Sequence, residues 1–234
     1  MNSFRSEFNK IFKETLTYYP DFLVSIVINI ILFVIIFTNN NDITVIISFS
    51  LWVLVSGVLS EASLTISTEK QLGTLQNLMI RPVSILETIT NKTIIWILIN
   101  LIKIIFIVFI LSFFYNIEEI FDLRLLLIFI ITVFGIFGFS LILAVLTLIY
   151  TKVASFESII SYGLLYLSGA FLEIPDFLRY TNSLSYATYI IKNIDNISIN
   201  NYLYLVFISI FWLSTGILLF KYIFSKSKNF NWNY

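Results

Sequence analysis

The chain has 234 residues, of which 59% are hydrophobic and 12% charged, with balanced acids and bases and neither histidine nor cysteine. Its mean hydropathy of +0.94 is too high for a soluble domain of this length. The missing residue types exclude disulfides, thiol nucleophiles, His/Cys metal or haem ligation and the commonest general base. Zero net charge leaves no nucleic-acid footprint, and no Gly-rich loop of the P-loop kind is present.

Residues 2–19 carry Phe4, Phe8, Ile11, Phe12, Leu16 and Tyr19 at helical spacing, with Glu7, Lys10, Lys13, Glu14 and Thr17 around the rest. This predicts an amphipathic helix lying in the cytoplasmic interface and broken by Pro20. The same surface also suits a cytoplasmic partner. No signal-peptide pattern is expected at this end.

Six apolar runs follow, at about 22–38, 43–66, 93–114, 123–150, 155–173 and 202–224, each read as a membrane span. A shorter stretch, about 177–191, follows Pro175 and is too punctuated to span; residues 174–192 read as re-entrant or interfacial. The expected organisation is residues 1–20 as the interfacial helix and 21–234 as one transmembrane domain. The fold class is therefore an all-α membrane protein with six transmembrane helices.

Ten of the fourteen basic residues alternate onto one side: Arg5, Lys10, Lys13, Lys70, Arg81, Lys92, Lys152, Lys221, Lys226 and Lys228. The other side carries Arg124, Arg179 and Lys192 with Asp42, Glu118, Glu119 and Asp122. The positive-inside rule then places both termini in the cytoplasm.

The second and third spans are joined by residues 67–92, the longest cytoplasmic connection. It holds an amphipathic stretch with Leu72, Leu75, Leu78 and Met79, then Arg81-Pro82, which limits the helix before it. A new helical run begins near Ser84 with Ile85, Leu86 and Ile89. Such an elbow would let a soluble motor push on two spans. It also fits a simple capped turn in a solvated connector.

Lys103 lies eleven residues beyond Lys92, roughly 16 Å along a helix and near the bilayer middle. With Trp96 and Asn100 it forms a face that must meet protein or water, and Glu61 and Glu157 are its expected partners. A structural ion pair and a substrate or gate contact are both open. Gly135 and Gly138, and Ser161, Gly163, Ser168 and Gly169, allow close helix approach, within one subunit or at a dimer seam.

Two motifs resemble one family. Glu69-Lys70-Gln71-Leu72-Gly73-Thr74-Leu75, followed by Pro82-Val83-Ser84, is similar to the loop of ABC type-2 transporter permeases. Leu167-Ser168-Gly169-Ala170-Phe171, then Ile174-Pro175, then Leu184-Ser185-Tyr186-Ala187-Thr188-Tyr189, resembles that family's passage from the fifth span into a re-entrant hairpin. Ser185 and Leu172 stand where the family often has Pro.

The resemblance implies a permease dimer, of two copies or of two paralogues, each docking a separate ABC ATPase subunit that carries the ATP and Mg. It implies no cofactor in this chain, and no catalysis by it. Glu69, Lys70, Gly73, Thr74, Leu75, Leu78, Arg81 and Pro82 would form the ATPase-coupling helix, with Phe4, Phe8, Ile11, Phe12 and Leu16 on the second contact. Ser168, Gly169, Phe171, Pro175 and Tyr186 would form the re-entrant or gate region. The expected role is outward movement of an amphipathic compound (a drug, an antimicrobial peptide or a lipid-like molecule) across a bacterial or archaeal cytoplasmic membrane. The alternatives are a secondary transporter or channel using Lys103, and a non-transporting immunity or sensor subunit that recruits an ATPase. An intramembrane enzyme lacks any placed nucleophile.

Overall fold

The computed structural model describes residues 2–37, 43–74, 84–113, 122–150, 157–169 and 174–227. Helix α1 covers Asn2–Thr17 and α2 covers Tyr19–Phe37. The first helix thus ends before Pro20, which sits in the opening turn of α2, where its missing N–H is no loss. Helix α3 is Ile43–Gln71 and α4 is Ile85–Ser112. Ser84 caps α4 by accepting the Glu87 N–H at 3.1 Å, the Ser-x-x-Glu pattern of a capping box. The cap starts the helix eight residues before the expected third span, so residues 85–92 belong to the span and not to a loop.

Helix α5 is Leu123–Ile149, capped by Asp122, which accepts the Arg124 N–H at 2.8 Å. The Arg124 guanidinium closes on the same carboxylate at 2.6 Å and holds its pKa below the ordinary carboxylate value. Helix α6, Glu157–Leu167, has eleven residues, a rise of roughly 16 Å, about half the hydrocarbon thickness. The remaining elements are the four-residue α7 (Asp176–Arg179), α8 (Ser183–Lys192), a 3₁₀ turn at Ile194–Asn196, and α9 (Ile199–Ser227).

Among the described residues, five helices are long and apolar enough to cross a membrane: α2, α3, α4, α5 and α9. This is the make-up of a multi-pass membrane protein. No strand occurs among the described residues. Over the expected fifth span, α6 gives way at Ser168 to a turn, and Gly169 adopts φ +67°, the left-handed region that ends a helix.

Helix α3 is the axis of the bundle. Buried residues form 72% of its most apolar stretch, against 22% for α2 and 28% for α9. The outer helices instead expose Val24, Ile28, Ile31 and Ile35 of α2 and Leu203, Phe207 and Phe211 of α9. That is an apolar surface suited to lipid, not water. Trp52 of α3 donates its indole N–H to the Ser161 carbonyl at 2.8 Å and ties α6 to the axis.

The closest helix contact joins α5 to α9. A Cβ on Gly138 would overlap the Trp212 carbonyl group and the Leu213 nitrogen, and one on Gly216 would overlap the Gly138 carbonyl. Only glycine permits this approach of two backbones. Gly135 makes room for the Ser183 hydroxyl of α8, whereas Gly163 faces open space. The first three glycines pack within the subunit, and nothing among the described residues needs the fourth to be small.

Candidate functional site: a polar end and a broken helix

The end of α3 is a Schellman cap. Gly73 takes φ +67°, its N–H bonds the Lys70 carbonyl at 3.1 Å, and the Thr74 N–H bonds the Glu69 carbonyl at 3.0 Å. These are the two bonds that define the motif. The Thr74 hydroxyl adds a bond to the Glu69 carboxylate at 2.5 Å. That carboxylate also faces the Lys92 ammonium of α4 at 3.9 Å, both side chains being largely buried.

Lys70 points the other way. It is 7% exposed, and its ammonium donates to the Thr147 and Leu148 carbonyls at 3.2 and 2.7 Å. Those are orphan acceptors at the C-terminus of α5, where a cation is favoured. Lys70 therefore clasps two helices together, and its charge is not offered at the surface. Leu75, Leu78, Arg81, Pro82 and Phe171 lie outside the described residues.

Helix α1 joins the same end. The Asn91 amide approaches the Ser3 hydroxyl at 3.4 Å, and Ile11, 3% exposed, packs with Ile95 and Ile99 of α4, flanked by Phe4, Phe22 and Trp96. The helix thus climbs along α4. Phe8, Phe12 and Leu16 remain exposed, with Phe8 stacked between Phe4 and Phe12. Lys92 interacts electrostatically with Glu7 and Glu14 of α1 as well as Glu69, so it is the junction of three helices. The sequence marked Lys92 only as a topogenic charge.

Deeper in the bundle, Lys103 has Glu61 as its charged neighbour. Lys103 and Glu61 sense each other's charge, and Glu157 is a near neighbour of Glu61. No ion pair closer than 4 Å joins Lys103 to either acid among the described residues. The ammonium lies 5.6 Å from the centre of the Phe22 ring, a cation–π distance.

Phe22 is in the first turn of α2, so Lys103 acts nearer the α1 end than a midplane count implies. The reason is directional: side chains lean toward their helix N-terminus, and that of α4 is at the polar end. Asn100, one turn away, is 2% exposed and fills the space that Gly57 leaves open. Its Nδ2 donates to the Trp96 carbonyl at 2.9 Å, while its Oδ1 has no partner among the described residues.

The break after α6 is sealed by hydroxyls of α8. Ser185 donates to the Leu167 carbonyl at 2.9 Å and Thr188 to the Ser168 carbonyl at 2.7 Å. A helix that stops inside a bundle leaves such carbonyls orphaned, and hydroxyl donors satisfy them without water. Serine at 185 supplies a donor that proline lacks. Asn182 caps α8 through the Ser185 N–H at 2.9 Å.

Tyr186 is buried at the centre of a tyrosine cluster with Tyr180, Tyr189 and Tyr204. Pro175 precedes α7 and borders a cavity of about 590 Å³ between α7 and α8. The structure thus brings Ser168 and Gly169 together with Thr188 at one joint, leaves Tyr186 in the tyrosine cluster apart from it, and places Glu61 between Lys103 and Glu157 at another. Gly57, Ser185 and Thr188 carry these joints without having stood out as candidate site residues.

No protein-family model matches the chain, and no curated protein matches it.

Proposed function

We propose that this chain is the permease subunit of an ATP-driven ABC exporter in a bacterial or archaeal cytoplasmic membrane. It exports an amphipathic compound and works as a dimer with a second copy or a paralogue. The ATP and Mg reside on a separate ATPase subunit that docks at the cytoplasmic end. Six spans, with α6 as the broken fifth and residues 174–192 re-entrant, complete this reading, and both termini are cytoplasmic.

The observation that carries it is the convergence of α1 and the capped end of α3 on the first turns of α4. Lys92 and Glu69 couple the three, so a push on residues 69–74 or on α1 is felt by α1, α3 and α4 together. A flexible connector would dissipate that push. The broken helix at α6 adds support, since irregular backbone inside a bundle is tolerated where protein buries it.

The test is purification of the tagged full chain from its native membrane with mass spectrometry of co-purifying proteins. A stoichiometric ABC-type ATPase, lost when Glu69 and Thr74 are changed to Arg and Ala in a protein that still folds, supports the proposal. Recovery of the folded chain alone refutes it. The grouping of Glu61, Lys103 and Glu157 favours a second reading, a secondary transporter. It requires substrate flux in proteoliposomes without nucleotide.

A further inference from the structure

The cavity between α7 and α8 is walled by Arg179, Lys192, Asn193, Thr188, Tyr189 and Asp176, with Ile174 and Pro175 at its edge. Its volume of about 590 Å³ is that of a small-molecule site. It lies toward the end of the bundle away from α1, because the 3₁₀ turn after Lys192 meets Arg124 at the start of α5, where Arg124 donates to the Ile194 carbonyl at 3.3 Å.

Arg179 is held in place from two sides. Its guanidinium stacks 4.4 Å from the centre of the Tyr189 ring and pairs with Asp176 at 2.7 Å. The Arg179 side chain is 27% exposed, but that of Asp176 is 85% exposed, so the carboxylate stands at the rim. One edge of the Arg fork remains for another acceptor. Lys192 has three donors and no hydrogen-bond or ion-pair partner among the described residues. Two cations and one displaceable carboxylate thus face a cavity far larger than an inorganic anion needs.

We infer that this cavity binds a phosphate ester, the phosphate held between Arg179 and Lys192 and the organic part resting on Tyr189 and Ile174. The acidic headgroup of a membrane phospholipid and a soluble phosphate ester share this chemistry. The site is independent of the ATPase reading and can stand if that reading fails.

The full chain in phosphatidylcholine nanodiscs is titrated with dioctanoyl phosphatidylglycerol, dioctanoyl phosphatidylcholine, glycerol 3-phosphate and inorganic phosphate, with occupancy read by native mass spectrometry. Phosphatidylglycerol binds at one saturable site, and the Arg179→Gln/Lys192→Gln variant weakens it roughly ten- to hundredfold, the scale of charge-assisted hydrogen bonds. Asp176→Asn tightens binding by removing the competing carboxylate. Competition by glycerol 3-phosphate at equal concentration identifies a soluble ester as the ligand; its absence identifies the lipid headgroup.

Equal retention of phosphatidylglycerol and phosphatidylcholine overturns the inference, as does a double variant that binds like the parent or an Asp176→Asn variant that binds more weakly. Should the Arg179 change impair folding, Lys192→Gln alone, at an exposed position, replaces the double variant: weaker binding supports the site, and binding like the parent overturns it.

Discussion

Gly138→Ala separates two kinds of small residue that look alike in the sequence. The added Cβ would meet the Trp212 carbonyl carbon and oxygen and the Leu213 nitrogen. These are main-chain atoms of α9, so no side chain can rotate away and the helices must part along their tightest contact. Overpacking a core typically costs about 1–3 kcal/mol, and a rigid obstacle puts this case near 3. That is roughly a 150-fold fall in the folded-to-unfolded ratio, at 1.4 kcal/mol per factor of ten.

Gly163→Ala adds the same methyl where nothing lies within 4 Å, and its effect should stay within about 0.5 kcal/mol. The assay is reversible unfolding in mixed dodecylmaltoside–SDS micelles, where helices persist in the unfolded state and intrinsic propensity largely cancels. If Gly138→Ala unfolds at the same SDS fraction as the parent, or no earlier than Gly163→Ala, the backbone-contact reasoning is wrong.

Lys70→Met keeps the stem but strips two bonds from the end of α5, and should cost about 1.5–3 kcal/mol in the same assay. Gly73→Ala forces a side chain into the left-handed region and should cost about 1 kcal/mol, while Gly73→Asn recovers part of it. A double-mutant cycle of Glu61→Gln and Lys103→Met should give a coupling below about 1 kcal/mol, since the groups interact without a close ion pair; a larger value means a direct bridge forms in the bilayer. The Arg124 guanidinium holds Asp122 below its ordinary pKa of 3.8, so its contribution is fully present above that value and is lost as pH falls through the depressed one. The stability difference between the parent and Asp122→Asn should then be widest above pH 3.8 and shrink as pH falls below it.

Hydropathy made the long spans legible because a lipid-facing helix must be apolar along its whole length, as in α2 and α9. The start of α4 was written locally in Ser84 and Glu87, yet the polar residues 87–92 hid its continuity with the span. Lys70 was misleading because the direction of a lysine depends on whether acceptors wait nearby, and the Thr147 and Leu148 carbonyls are more than seventy residues away. The run at 155–173 looked continuous since Ser168 and Gly169 are tolerated in spans; only the hydroxyls of Ser185 and Thr188 make the break stable. Glu61 was nameable as a neighbour of Lys103 from the rarity of buried charge, but the depth of that group depended on the lean of one side chain. Gly138 and Gly163 were indistinguishable, because nothing in a sequence tells which face of a helix meets another backbone.

The glycine contact between α5 and α9 has a mechanical consequence. With carbonyl against Cα, neither helix can slide by a residue without driving a side chain into the other's main chain. Lys70 then rivets the far end of α5 to α3. Three helices become a single stiff chassis, while among the described residues α2 packs on it through side chains and α6 is tied to it by the Trp52 indole. Any large displacement this protein undergoes must therefore occur along the seams of those lighter panels, and a cross-link between α5 and α9 should leave it unhindered.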